Sequence, residues 1–299
     1  MSTRVRVLSA GGVVLVVAAA LAAAPAAFGA QPLAGHRALF AAPNATPQQS
    51  SNWAGYAITD ATTLATGTTD PTQTTPLTFS NVTGTFRLPK VACSASQAPA
   101  YSAFWVGLGG YSESAQALEQ VGVDADCTSA ATPAYYAWYE LVPAPSVKLP
   151  LEVAGGDTIT TSVVVNGTDV LVQVKDRTRK TSFTKHFQVA APDVSSAEWI
   201  AEAPSACSRL GDCTVLPLAN FGTVGFTNIA ATANAHAGTL TDATWAAASI
   251  SLVPRSSRRA MLGRPDDAST AGATPADATV DGRGFSVAWV ADATALASP

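Results

Sequence analysis

The chain has 299 residues, enough to bury a large core in one or two domains. Charged residues make up 13%, against the ~25% typical of soluble domains, and the net charge is −4, which argues against a nucleic-acid partner. A surface with so few ionisable groups changes its charge little on acidification, which suits an acidic medium.

The first thirty residues read as an export signal. Arg4 and Arg6 give a basic start, Val13 to Ala24 an apolar stretch, and Pro25 to Ala30 small residues suited to cleavage. The apolar stretch is short for a membrane span and no later one is longer, so a secreted, extracellular protein is expected, off the membrane once the signal is removed. Residues 31–50, rich in Ala, Pro and Gln, read as a linker or short pro-segment. Residues 51–299 read as a single domain.

Order is expected to begin near Asn52-Trp53-Ala54-Gly55-Tyr56. Strand signals follow over Val82 to Leu88, Tyr101 to Leu108, Ala117 to Val123 and Tyr135 to Val142. The best hairpin joins Asp157 to Val165 with Thr168 to Lys175 through Asn166-Gly167, a type I′ turn signal. Further strands are expected over Thr181 to Val189, Glu198 to Glu202, Gly222 to Ile229, Ala246 to Val253 and Phe285 to Val290. No stretch sustains a helical period, so the pattern predicts an all-β antiparallel sandwich or barrel. Residues 254–283, with Arg255, Arg258, Arg259 and Arg264, read as an exposed loop insertion.

The cysteines are Cys93, Cys127, Cys207 and Cys213. An exported chain with an even count permits two disulfides. Cys207 and Cys213 flank a short loop and are the favoured pair, which leaves Cys93 with Cys127, although the sequence does not choose among the possible pairings.

The usual catalytic signals are missing. His36, His186 and His236 read as linker, strand and loop residues. No GxSxG elbow occurs, and Gly109-Gly110 ends a strand without leading to a helix. That leaves carboxylates and amides, in Glu119-Gln120-Val121-Gly122-Val123-Asp124, Trp138-Tyr139-Glu140 and Ala197-Glu198-Trp199-Ile200-Ala201-Glu202. In an extended strand Glu198, Ile200 and Glu202 share one face and Trp199 takes the other. A carboxylate beside Trp and Ile loses hydration, which raises its pKa and makes it a proton carrier. The alternative for this strand is a sheet edge carrying two solvated acids. A buried Gln amide needs partners, and a Gln facing a Glu across a groove makes a minimal hydrolytic pair. The acid takes a proton from water and the amide N–H donates to the oxyanion.

These segments, together with Asn52-Trp53-Ala54-Gly55-Tyr56, Phe104-Trp105-Val106-Gly107-Leu108 and Gly284-Phe285-Ser286-Val287, resemble the glutamic peptidases, or eqolisins, in order and spacing over about residues 50 to 290. The resemblance implies a concanavalin-like jelly roll, a double-sheet β-sandwich curved around a substrate groove. It implies a secreted, acid-acting, pepstatin-insensitive endopeptidase that works on proteins or peptides as a monomer, with no cofactor and no metal. It implies that Gln120 and Glu202 are catalytic, with Glu198 the lesser candidate, and that Trp105, Glu140, Asp124 and Trp53 bind substrate. Fungal members usually carry an Asp-Gly turn where this chain has Gly109-Gly110. They carry an acid at Tyr136 and an aromatic residue at Val142. These departures imply a different specificity and pH optimum. Two other readings fit the residues: a carbohydrate-binding sandwich that uses its aromatic strand, and a two-carboxylate glycosidase built on Glu140 and Glu202.

Overall fold

The computed structural model describes residues 34–35, 48–60, 76–112, 115–207, 213–254, 270–293 and 296. The export signal expected at 1–30 and the arginine cluster at 255–264 lie outside these residues. Every strand expected from the sequence between Trp53 and Val290 forms, and no α-helix occurs among the described residues.

The chain enters through β1 (Ala34–Gly35), β2 (Gln48–Ser50) and β3 (Trp53–Thr59). It continues through β4 (Phe79–Arg87), β5 (Ala103–Leu108), β6 (Leu118–Cys127), β7 (Pro133–Val142) and β8 (Val147–Lys148). A meander of β9 (Thr158–Asn166), β10 (Asp169–Asp176) and β11 (Thr181–Gln188) leads to β12 (Ser196–Glu202). The short β13 (Ser205–Cys207) and β14 (Cys213–Val215) precede β15 (Thr223–Ala233), β16 (His236–Gly238) and β17 (Ala246–Leu252). The last two are β18 (Gly272–Pro275) and β19 (Gly284–Val290).

The strands pair in the order β11-β10-β9-β4-β15-β19-β18-β17-β3-β12-β5-β6-β7-β8. This path folds over on itself. One layer runs from β11 to β19, the other from β17 to β8, and β18 turns the corner between them. Pairing of these strands is antiparallel throughout, and β2 adds to β17 in parallel. Phe86, Val163, Val172 and Phe226 of the first layer pack against Phe104, Val106, Val121 and Trp199 of the second.

The two layers differ in how they are covered. β9 alternates buried and half-buried residues, as expected with one face on the core and one toward water. β3, β5, β6 and β12 are buried at every position. A second apolar cluster explains this: Trp53, Ala57, Trp105, Leu118, Trp138, Ile200 and Ile250 cover the face turned away from the sandwich core. Gly55 makes the crossing of β3 and β12 possible. It has φ +146°, and a Cβ there would lie 2.1 Å from the Trp199 carbonyl oxygen.

Three expectations are corrected. The hairpin pairs Asn166 with Asp169, so its loop is Gly167-Thr168. Gly167 takes φ +60° while Asn166 does not, which fits a turn needing positive φ only at its first central residue and not type I′. The stretch 254–283 is not all loop: β18 lies within it, pairs with β17 and β19, and buries Ala273. Its four residues are too few to show a period. β6 runs on to Cys127 because its polar tail keeps pairing with β7, Asp126 opposite Ala134 and Cys127 opposite Pro133. Disulfides join Cys93 to Cys127 and Cys207 to Cys213, as expected.

Candidate active site

β12 is central to its layer, flanked by β3 and β5, so the solvated-edge alternative fails. Its side chains alternate as the sequence predicts: Trp199 enters the sandwich core, while Ile200 joins the second cluster with Trp53 and Trp105. Glu198 and Glu202 share the face of Ile200 by the period-2 rule. Register then builds a grid on that face. Glu202 stands beside Trp53 and Ala103, and Ala103 beside Asp124, which pairs with Tyr136. Ile200 stands beside Trp105, then Gly122, then Trp138. Glu198 stands beside Gly107, then Gln120, then Glu140. All the residues expected at the site therefore lie on one face of one layer.

Small residues make room for the large ones. A Cβ on Gly107 would lie 3.0 Å from Cζ3 of Trp105, and one on Gly122 would lie 2.5 Å from Trp105 Cβ. The Trp105 ring thus extends from the row of Glu202 to the row of Gln120. Trp53 meets it edge-on, with ring centroids 4.8 Å apart.

Glu202 is held by donors. Trp105 Nε1 donates to Oε2 at 2.7 Å, and Asn52 Nδ2 donates to Oε1 at 3.0 Å. Asn52 is itself fixed by Ser50 Oγ, which donates to Asn52 Oδ1 at 3.0 Å. Burial pushes the Glu202 pKa well above the ordinary value, against the pull of bonds from Trp105, Trp53 and Asn52. Gln120 Nε2 donates to Glu140 Oε2 at 2.8 Å, which fixes the orientation of the amide and leaves its second N–H. Gln120 Oε1 has no hydrogen-bond partner among the described residues. No hydrogen bond joins Gln120 to Glu202, and both side chains are 0% exposed, so the groove is closed over them.

Asp124 accepts a short hydrogen bond from Trp138 Nε1. Beside it, Asp126 accepts from the Ser102 amide at 3.2 Å and from the Tyr136 hydroxyl at 3.4 Å. Burial raises Asp126 to about 7. At the far end of the strands, Glu119 accepts from the Asp193 amide at 3.1 Å. Burial and then the Asp193 charge lift Glu119 to about 8. Among the described residues neither oxygen of Glu198 has a hydrogen-bond partner, and burial raises its pKa well above normal.

Sequence reasoning placed Asn52 only at the start of the fold. Its contact with Glu202 spans 150 residues of chain, and the one available signal was its place directly before Trp53. Asp126 was passed over because it sits at the polar end of its strand.

A sequence profile of the Peptidase A4 family matches residues 51–253. No curated protein is similar enough to match. Among solved structures, scytalido-glutamic peptidase with a peptide-based transition-state analogue is 24% identical, covering 80% of this chain and 98% of that one, with a TM-score of 0.58. SCP-B, a member of the eqolisin family in complex with the tripeptide Ala-Ile-His, is 22% identical over 80% of this chain and 98% of that one, with a TM-score of 0.55. Both share the sandwich fold.

Proposed function

The chain belongs to the Peptidase A4 family, and on that footing we propose that it is an acid-acting glutamic endopeptidase, exported from the cell, with Glu202 and Gln120 as its working pair. The observation that carries the reading is Glu202 itself: a buried carboxyl steered by Trp105 and Asn52, on the same sheet face as an oriented Gln amide. As a carboxylate, Glu202 takes a proton from water while the water oxygen attacks the peptide carbonyl carbon. The second N–H of Gln120 donates to the carbonyl oxygen as it becomes an oxyanion. Protonated Glu202 then delivers its proton to the departing amine as the C–N bond breaks. Bonds from Trp105 and Asn52 favour the charged form, while burial holds the pKa above the ordinary value, so the carboxyl is a ready proton donor when neutral and a stronger base once ionised. The mechanism calls on no metal or cofactor, and its working pair contains no two aspartates for pepstatin to engage.

Water and substrate must reach a pair that has no exposed surface. β1 pairs with β13, Gly35 opposite Ser205, three residues beyond Glu202. On this contact we propose that the stretch ahead of β2 acts as a pro-segment whose displacement opens the groove. The glycosidase reading is weaker, because the Glu140 carboxylate is taken up by the Gln120 amide.

The test is casein digestion across acidic pH, before and after acid incubation, with and without pepstatin, beside Glu202→Gln. Pepstatin-resistant digestion that appears after incubation and is absent in the variant is expected. Equal digestion by the variant overturns the assignment.

A further inference from the structure

At the outer edge of the groove layer, where β8 pairs with β7, a cavity of about 340 Å³ is lined by Tyr135, Tyr136, Lys148, Leu149, Glu152 and Arg179, among others. Lys148 pairs with Trp138, so its side chain lies on the groove face, and its Nζ sits 4.9 Å above the centre of the Tyr136 ring. It forms no ion pair or hydrogen bond among the described residues. Arg179 enters from the other layer. Its Nε is anchored by Asp157 at 2.7 Å and lies 3.6 Å from Asp176, both largely buried. Neither Nη group of Arg179 makes a hydrogen bond among the described residues. The guanidinium is thus oriented by acids behind it while its remaining donors stay unused. Glu152 is the one carboxylate in the cavity lining, and Asp157 and Asp176 stand behind Arg179.

The cavity meets the groove face at Tyr136 and Lys148, while Tyr135, Leu149, Leu151 and Val153 of its lining turn towards the sandwich core. Tyr136 pairs with Asp124, and Asp124 is separated from Glu202 by Ala103 alone. From β12 to β8 is four strand spacings, about 19 Å, the length of roughly six extended residues. A peptide lying across the strands from Glu202 reaches Lys148 and Arg179 with its far end.

We infer that this cavity is an anion subsite that takes a carboxylate carried by the peptide substrate several residues from the cut bond. The inference rests on the peptidase reading for its substrate. Arg179 supplies a planar, pre-oriented donor pair and Lys148 a mobile point charge, a combination that suits carboxylate recognition. The carboxylate is either an acidic side chain or the chain terminus.

The test uses dye-labelled ten-residue peptides differing only in glutamate or glutamine at successive positions, each made as C-terminal acid and as amide, at about pH 5.5 so that carboxylates are ionised. The proteins are the wild type and Lys148→Gln, a change at an exposed residue. Cleavage should favour one glutamate position, or the free terminus, by about tenfold in kcat/KM, carried by KM, and Lys148→Gln should abolish that preference without changing kcat on the all-glutamine amide. An Arg179→Lys variant should keep part of it. Equal kcat/KM for all peptides, or a preference unchanged in Lys148→Gln, overturns the inference and leaves the peptidase reading standing. Should no peptide be cut, fluorescence anisotropy on the same set decides the subsite separately. Tighter binding of the carboxylate peptides that is lost in Lys148→Gln supports it, and equal binding overturns it.

Discussion

The buried acids make the stability of this protein fall as pH rises. Glu119 titrates at about 8 in the fold instead of 4.5, and Asp126 at about 7 instead of 3.8. Glu198 and Glu202 shift in the same direction. Glu119 and Asp126 are each neutral in the folded chain and ionised in the unfolded one between their own two values, so the folded state holds protons that the unfolded state has released. Stability is then full below about pH 4 and is lost as pH rises towards 8. At 1.36 kcal/mol per pH unit, Glu119 accounts for at most about 5 kcal/mol and Asp126 for about 4. Together these rival the 5–15 kcal/mol that holds a typical domain. Asp242 acts the other way at the acid edge, lowered to about 2 by its bonds with Thr244 and then His236. Urea melts followed by tryptophan fluorescence from pH 3 to 8 should show midpoints that decline steadily above about pH 4. Glu119→Gln, which keeps the side chain neutral, should flatten part of that decline and stabilise the protein at pH 7.5. Midpoints that stay level or climb between pH 4 and 8 would refute the reasoning.

Three further outcomes are expected. Trp105→Phe removes the indole donor to Glu202 Oε2, so the acid limb of the pH–rate profile should move up by about one unit and kcat/KM should fall about tenfold; an unmoved limb counts against the contact. Gly55→Ala drives a methyl group into the Trp199 carbonyl and should cost more than about 3 kcal/mol in a thermal or urea melt, or yield no folded protein; a wild-type melt would contradict the packing of β3 on β12. Replacing Cys93 and Cys127 together by serine opens a link between residues 34 apart in sequence and should cost about 3–4 kcal/mol by loop entropy, with activity per folded molecule kept; a loss of activity at full stability would assign this disulfide to the site.

The parts of the site legible in sequence were those governed by the two-residue period. Glu198, Ile200 and Glu202 face one way because a strand allows nothing else, whereas the Gln120–Glu140 pairing needed the register of two adjacent strands, which the sequence does not carry. What the strand could not reveal was how deeply those acids are buried. That depth is set by Trp53, Trp105 and Ile250, which arrive from three other strands. The turn at Gly167 was misread because the Asn-Gly pair signals type I′ only when its asparagine also takes positive φ. β18 escaped notice because it carries one buried small residue per face, and its place was set by the two strands it bridges.

The central claim is that Gln120 and Glu202 serve one reaction although no hydrogen bond joins them in the closed structure. A double-mutant cycle on kcat/KM for an internally quenched peptide at about pH 4 tests it most directly, using Gln120→Ala, Glu202→Gln and the combination. Groups acting as a unit should each cost on the order of 10² to 10³ or more, with the double variant little worse than the poorer single one and all three retaining the wild-type melt. Losses that multiply independently, or a single variant with wild-type turnover, would contradict it.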